Sequence, residues 1–255
     1  MLGAIAGDII GSVYEFSNFK ATDFQPLIHA RARFTDDTVC TVAIADCILS
    51  DKAPADALRE WCQRYWTNGG WGQKYAKWLA GTSTEPYNSY GNGGAMRVSP
   101  CAWLFDDYQE SMRKAMEVTA VTHNHPEGIR GAMAVNAAIF CFRKQASVAD
   151  VHQLIEGQFK YDLSRSVDAI REHNPHSEAA QDTVPEAIIC ALQATSYEGA
   201  IRNAISIGGD SDTIGAIAGS IAEARFGMAA ELKIEIAAFL PDDMKLVLNE
   251  FRNRQ

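Results

Sequence analysis

The sequence predicts an all-α protein on three observations. Apolar residues recur at three- and four-residue spacing over most of the chain, alanine is abundant among them, and no convincing succession of segments alternates apolar and polar residues as half-buried strands do. The periodic segments are Val39 to Leu49, Pro54 to Trp66, Ser111 to Val121, Pro126 to Phe142, Val148 to Gly157, Pro185 to Ala194 and Thr213 to Phe226. Start signals agree with them. Thr35-Asp36-Asp37-Thr38 and Asp210-Ser211-Asp212-Thr213 both read as helix entrances, and Ser147 as an N-cap. Thr183-Val184-Pro185-Glu186 is a capping-box pattern that places Pro185 inside a first turn. The special residues are therefore expected in loops and at helix ends.

Nothing among the 255 residues looks like a linker of Pro, Ser or Gly repeats, so one domain over 1–255 is expected. With 47% hydrophobic and 22% charged residues the chain can bury a sizeable core and stay soluble. A net charge of -9 without a basic stripe argues against generic nucleic-acid binding. Cys40, Cys47, Cys62, Cys101, Cys141 and Cys190 lack CxxC spacing and mostly lie in apolar helical stretches, as buried reduced thiols do. The start lacks the basic region of a signal peptide and meets Asp8 early, and no run approaches the roughly 18 apolar residues of a membrane span. A soluble, cytoplasmic protein without membrane partners is the expectation.

One echo runs through the chain: Gly3-Ala4-Ile5-Ala6-Gly7 returns as Gly215-Ala216-Ile217-Ala218-Gly219. Small residues at such spacing let two helices cross closely, although five common residues are weak evidence of a repeat. Both copies flank acidic residues, so a crossing there would bring distant loops together.

The two acidic entrances carry more carboxylate than a helix cap needs. Adjacent carboxylates repel unless something positive lies between them, and a cap requires one acceptor. Four carboxylates and two hydroxyls could hold two Mg²⁺ or Mn²⁺ ions about 3.5 to 4 Å apart. The plain capping reading stands beside this one. Between them lies Asn88-Ser89-Tyr90-Gly91-Asn92-Gly93-Gly94-Ala95-Met96-Arg97, where glycines open the backbone amides to an anion, Ser89, Asn92 and Arg97 offer donors, and Tyr90 offers a stacking face. It lacks the Lys of a Walker loop, and a plain turn is the alternative. His123 and His125 precede a helix without cysteine partners or HExxH spacing, so capping or ligand-facing histidines are favoured over zinc. Asp8 and Glu15 stand seven residues apart, on nearly one face if the helix continues, which makes Glu15 a candidate acid/base or an ordinary surface residue. The aromatic stretch Trp61 to Trp78 reads as helix packing around the Asn68-Gly69-Gly70 turn, with no site assigned.

Taken together and in order, these blocks resemble the ADP-ribosylglycohydrolase family, which includes dinitrogenase-reductase-activating glycohydrolase. The resemblance rests on Gly7-Asp8 to Glu15, Phe34 to Thr38, Ser89 to Arg97, Thr122-His123 and Gly208 to Gly219, and spans nearly the whole chain. It implies a compact orthogonal helical bundle with a cleft for two Mg²⁺ or Mn²⁺ ions. By position it implies metal ligands Thr35, Asp36, Asp37, Asp210, Asp212 and Thr213, with Glu15 beside them and Glu15, Asp36 and Asp212 serving the chemistry. Ser89, Tyr90, Gly91, Asn92, Gly93 and His123 would line the ADP-ribose pocket. The implied partner is an ADP-ribosylated protein, with ADP-ribose as product and the N-glycosidic bond to arginine favoured. Another ADP-ribosyl bond, to serine or in a small metabolite, is the second reading, and a non-catalytic crystallin-like relative is the third. Ser211 stands where Thr or Ala is expected and should point away from the ions. The segment from Asn174 to Asp182 is short for the family and is expected to shape the acceptor side.

Overall fold

The computed structural model describes all residues 1–255 and contains helices, turns and one isolated antiparallel bridge, Gly91 with Ala179, but no strand. The first half carries α1 (Leu2–Gly11), α2 (Asp36–Leu49), α3 (Pro54–Arg64), α4 (Gln73–Ala80), α5 (Gly93–Met96), α6 (Ser99–Leu104), α7 (Tyr108–Ala120) and α8 (Pro126–Arg143). The second carries α9 (Val148–Leu154), α10 (Val167–His173), α11 (Ala180–Leu192), α12 (Tyr197–Ser206), α13 (Ser211–Phe226), α14 (Ala230–Ala238) and α15 (Asp242–Asn253). The all-α expectation holds.

Local chemistry explains most helix starts. Ser147 accepts from Asp150 N at 3.1 Å while Asp150 Oδ2 accepts from Ser147 N at 3.0 Å, a reciprocal cap that satisfies two otherwise orphan amides. α11 departs from the reading: it begins at Ala180, not at Pro185, which therefore lies inside the helix. Thr183 does not cap a later start; its hydroxyl donates to Ala179 O at 3.0 Å within a turn already formed. Pro185 is the sixth residue of the helix, past the turn whose amides are free, and leaves Gln181 O without its helical donor. The segment after Val148 also changes: α9 ends at Leu154 and a wider π turn, Ile155–Phe159, closes on Lys160 with φ 58. Helices such as α4, α5, α6 and α10 span eight residues or fewer, too short for periodicity to stand out.

The core runs through the centre of α1, α2, α8, α11 and α13, where Ile5, Ile9, Ile44, Ile139, Ile188 and Ile217 are fully buried. Each contributes about 2–3 kcal/mol relative to exposure. The glycine echo is a real packing device. A Cβ on Gly215 would lie 2.7 Å from Gly7 O, and one on Gly11 would lie 2.6 Å from Asp212 Cα, so α1 and α13 cross with their backbones in contact. The crossing is antiparallel: Gly3 meets Gly219, Gly7 meets Gly215 and Gly11 meets Ser211. The end of α1 is thereby set against the start of α13, where the second acidic cluster sits.

All six cysteines are free, and all but the half-buried Cys141 are buried. No helix is long and apolar enough to cross a membrane.

Candidate active site

Asp8 is wholly buried and anchors the entrance of α2. Its carboxylate accepts from Thr35 N at 3.0 Å, Thr35 Oγ1 at 2.7 Å, Thr38 N at 3.0 Å and the Thr38 hydroxyl. Burial raises its pKa to about 6 even though these bonds favour the charged form. Asp8 and Glu15 do not share a helix face, because α1 stops at Gly11 and the residues beyond Ser12 run in turns. Glu15 swings instead to the other cluster. Carboxylate oxygens of Glu15, Asp210 and Asp212 lie within 4.8 Å of one another.

The two acidic entrances meet. Thr213 Oγ1 donates to Asp37 Oδ2 at 3.3 Å, across 176 residues of sequence. Gly208 and Gly209, at φ 71 and 74, make the left-handed turn that delivers Asp210 to the start of α13, a conformation costly for any residue with a Cβ. Asp36 Oδ1 accepts from Gly70 N at 2.9 Å, and Asp210 Oδ2 from Asn92 Nδ2 at 2.7 Å. Ser211 turns away from the cluster, its hydroxyl donating to Gly11 O at 3.1 Å. Thr35 caps α2, accepting from Asp37 N at 3.4 Å and donating to Asp8. It is not on the cleft wall, but one lone pair of its hydroxyl stays uncommitted.

Charge accumulates here with only a few hydrogen-bond donors and the charge of Arg33 to offset it. Burial, followed by repulsion from neighbouring acids, drives Asp37 and Asp212 well above the carboxylate range, and burial raises Asp36 against the bond from Gly70 N. Burial and repulsion from Asp210 and Asp36 push Glu15 up to about 7. Asp37 Oδ1 is buried with no hydrogen-bond partner at all. Such an orphan carboxylate oxygen is costly alone, and a cation would satisfy it. Oxygen-only donors of this kind fit a hard divalent ion.

The opposite wall is the glycine loop. Ser89 N donates to Thr122 O at 3.3 Å, Asn88 N to Asn124 Oδ1 at 2.8 Å, Asn92 N to Glu178 O at 2.9 Å, and Ala180 N to Tyr90 O at 3.0 Å. The segment around Glu178, expected on the acceptor side, is thus stitched to the glycine loop. His123 is 6% exposed and lies against Gly93, where an added Cβ would stand 3.0 Å from its Nε2. His125 instead caps α8, accepting from Glu127 N at 3.1 Å. Tyr90 keeps 53% of its surface exposed.

One cleft of about 570 Å³ is lined by Glu15, Asp36, Asp37, Asp210, Asp212 and Thr213 on the acid side. Ser89, Tyr90, Gly91, Asn92, Gly93 and His123 line the other. Sequence reasoning missed the contribution of the aromatic segment: Gly70, Gly72, Gln73, Lys74 and Tyr75 also reach the cleft. Their signal was the Gly69-Gly70 turn, which reads equally well as a connector. It also paired Asp8 with the wrong partner, although a lone acid in an apolar helix followed by Thr35 and Thr38 carried the hint.

Known proteins resemble this chain over most of its length. The ADP-ribosylglycohydrolase family model matches residues 1–248. ADP-ribosylhydrolase ARH3 of Mus musculus is 26% identical, over 89% of this chain and 83% of its own. That alignment runs over 306 residues, more than the chain contains, so the mouse protein carries insertions that this chain lacks. The ADP-ribosyl-[dinitrogen reductase] glycohydrolase of Rhodospirillum rubrum is 24% identical, over 89% of this chain and 84% of its own. A solved ADP-ribosylglycohydrolase-related protein shares the fold, with a TM-score of 0.73 at 19% identity over 100% of this chain and 97% of that one. With nearly its whole length accounted for by one family model, this chain belongs to the ADP-ribosylglycohydrolase family and is a glycosidase acting on ADP-ribosyl bonds.

Proposed function

We propose that this protein is a metal-dependent hydrolase that removes ADP-ribose from a modified protein by cleaving the N-glycosidic bond to arginine. One observation carries the reading: a surplus of buried carboxylate, with the orphan Asp37 Oδ1, faces a glycine loop across a single cleft. Asp36, Asp37, Asp210, Asp212 and Thr213, with the spare lone pair of Thr35, are the oxygen donors for two Mg²⁺ or Mn²⁺ ions. Bound there, the ions would supply positive charge that polarises the ribose hydroxyls and an attacking water.

The protein's own groups supply orientation and proton handling. Gly91, Gly93 and Ser89 leave room for the diphosphate, Tyr90 offers a ring to the adenine, and Asn92 bridges this pocket to Asp210. Glu15 accepts from no backbone, amide or hydroxyl donor and pairs only with the Asp212 carboxyl, whereas Asp36 is held by Gly70 N, Asp37 by the Thr213 hydroxyl, Asp210 by Asn92 and Asp212 by Thr213 N at 2.9 Å. It is the acid assigned to take the proton that water releases as water bonds to the anomeric carbon, while the C–N bond breaks through oxocarbenium character and its electron pair leaves on the guanidine nitrogen.

Acids beyond the four aspartates, Glu15 and Glu178, support a cationic acceptor such as arginine. The second reading is cleavage of another ADP-ribosyl bond, such as that to serine or in a small metabolite, because comparable similarity to the mouse and Rhodospirillum enzymes favours no one acceptor side chain. The test is ADP-ribose release, with Mg²⁺ or Mn²⁺, from a panel of arginine-modified protein, serine-modified peptide and small ADP-ribosyl metabolites. Release from the arginine substrate is expected, release from serine alone transfers the assignment to the second reading, and no release from any member sinks both.

A further inference from the structure

Arg97 is fully buried, 1% exposed, yet its hydrogen-bond acceptors are Val118 O at 3.3 Å and Thr122 Oγ1 at 2.7 Å, neither of them a carboxylate. Its Nε has no partner. A guanidinium has donors only, so Thr122 must accept from it. The Thr122 hydroxyl then has one proton to place, and its other neighbour is His123 Nδ1 at 2.8 Å. The reverse polarity, with Nδ1–H donating to the hydroxyl, would leave that proton without an acceptor in a residue that is completely buried. Nδ1 is therefore the acceptor, and the remaining ring proton sits on Nε2. That nitrogen lies against Gly93 and Gly91, where added Cβ atoms would stand 3.0 and 3.7 Å away, on the wall of the cleft. Burial, and next the Arg97 charge, also hold the ring well below its ordinary pKa.

We infer that Arg97 and Thr122 are positioning residues that hold His123 as a neutral imidazole, with its Nε2–H directed at an oxygen of the anion bound by the glycine loop. The geometry stands without assigning the substrate; only the identity of that anion, the diphosphate of ADP-ribose, rests on the proposed function. His123 donates a hydrogen bond and does not act as a base. Burial and the Arg97 charge behind the ring disfavour its protonation, and the Thr122 hydroxyl, polarised by Arg97, fixes the tautomer.

Ring ¹⁵N spectra of histidine-labelled protein without ligand test this directly, with the His123 signals assigned by their loss in His123→Gln. The Nε2–H tautomer is expected for the wild type at neutral pH. Thr122→Val should mix the two tautomers and weaken ADP-ribose binding about fivefold to tenfold, and Thr122→Ser should restore both. An Nδ1–H or doubly protonated ring in the wild type overturns the relay, as does a pure Nε2–H ring in a folded Thr122→Val protein. Should the valine variant fail to fold, the wild-type spectrum decides alone. An Nε2–H ring in a protein that binds no ADP-ribose upholds the relay and overturns the functional reading instead.

Discussion

The acid wall of the cleft is assembled from several helix ends that lie far apart in sequence, whereas the other wall is one continuous glycine loop tied to segments near and far. Ser211 reaches Gly11 across 200 residues and Thr213 reaches Asp37 across 176, while Asn88 reaches Asn124 across 36. Their electrostatics differ as well. The acid wall buries carboxylates that repel one another and leaves Asp37 Oδ1 bare; the loop wall places a neutral donor in front of a buried cation. The difference teaches where each kind of perturbation should act: charge removal and cations on the first wall, hydrogen-bond removal on the second.

The largest expected effect is on turnover. Asp36→Ala and Asp212→Ala should each lower ADP-ribose release by about a thousandfold or more, the scale of several kcal/mol of lost charge stabilisation. Denaturant unfolding without metal should find Asp212→Ala no less stable than the wild type, because a repelling charge has gone. Marked destabilisation would show that Asp212 is a structural acid and that the contrast between the walls is misdrawn.

Next comes the crossing that brings the acids together. Gly215→Val should cost about 3 kcal/mol or more, since the added atoms meet the backbone at Gly7 and not a side chain that can turn aside. Gly157→Ala, with open space around its Cβ, should be neutral or stabilising by up to about 1 kcal/mol. Melting temperatures of the pair measure how much of the acid wall depends on backbone contact. Equal melting points would remove that dependence.

Cation and pH should then act on the acid wall together. Mg²⁺ at a hundredfold excess over its Kd should stabilise the wild type by about 2.7 kcal/mol, and Asp37→Asn should respond less. For the metal-free protein the sign follows from raised folded-state pKa values, with Asp8 at about 6, Glu15 at about 7, and Asp37 and Asp212 well above the ordinary carboxylate range. Such groups leave stability intact below the ordinary carboxylate pKa of about 4, and stability falls as pH rises through the folded values. Thermal unfolding at several pH values should show this decline in a chelator and a flatter curve with Mg²⁺. A decline of equal slope in both would argue against ion binding by these acids.

The smallest expected effect tests the link between the walls. Asn92→Ala removes the bond to Asp210 Oδ2 and should cost about 1–2 kcal/mol. KM should rise more than kcat falls, a split that steady-state kinetics reads directly.

Much of this cleft was legible because its signals are local. A Thr before two Asp residues marks a helix start wherever the chain goes, and Gly208-Gly209 marks a left-handed turn because other residues resist that backbone. Glu15 was legible as a candidate but not its direction, which depended on where α1 ended. The aromatic segment showed the limit more plainly. Its rings do pack, with Tyr75 and Trp78 stacked 5.8 Å apart, yet the Gly70 amide ahead of them binds Asp36.

By itself the sequence determined the helical class, the chemistry of the two acidic entrances and the glycine loop between them, because caps, spacing and backbone freedom act within a few residues. Tertiary structure alone decided that the two Gly-Ala-Ile-Ala-Gly segments face each other, that Asp8 secures Thr35 and Thr38 while Glu15 joins Asp210 and Asp212, and which nitrogen of His123 carries its proton. Each of these depends on a distance or a hydrogen-bond partner set by packing: carboxylates and rings take their direction and protonation from atoms that only the folded chain brings near.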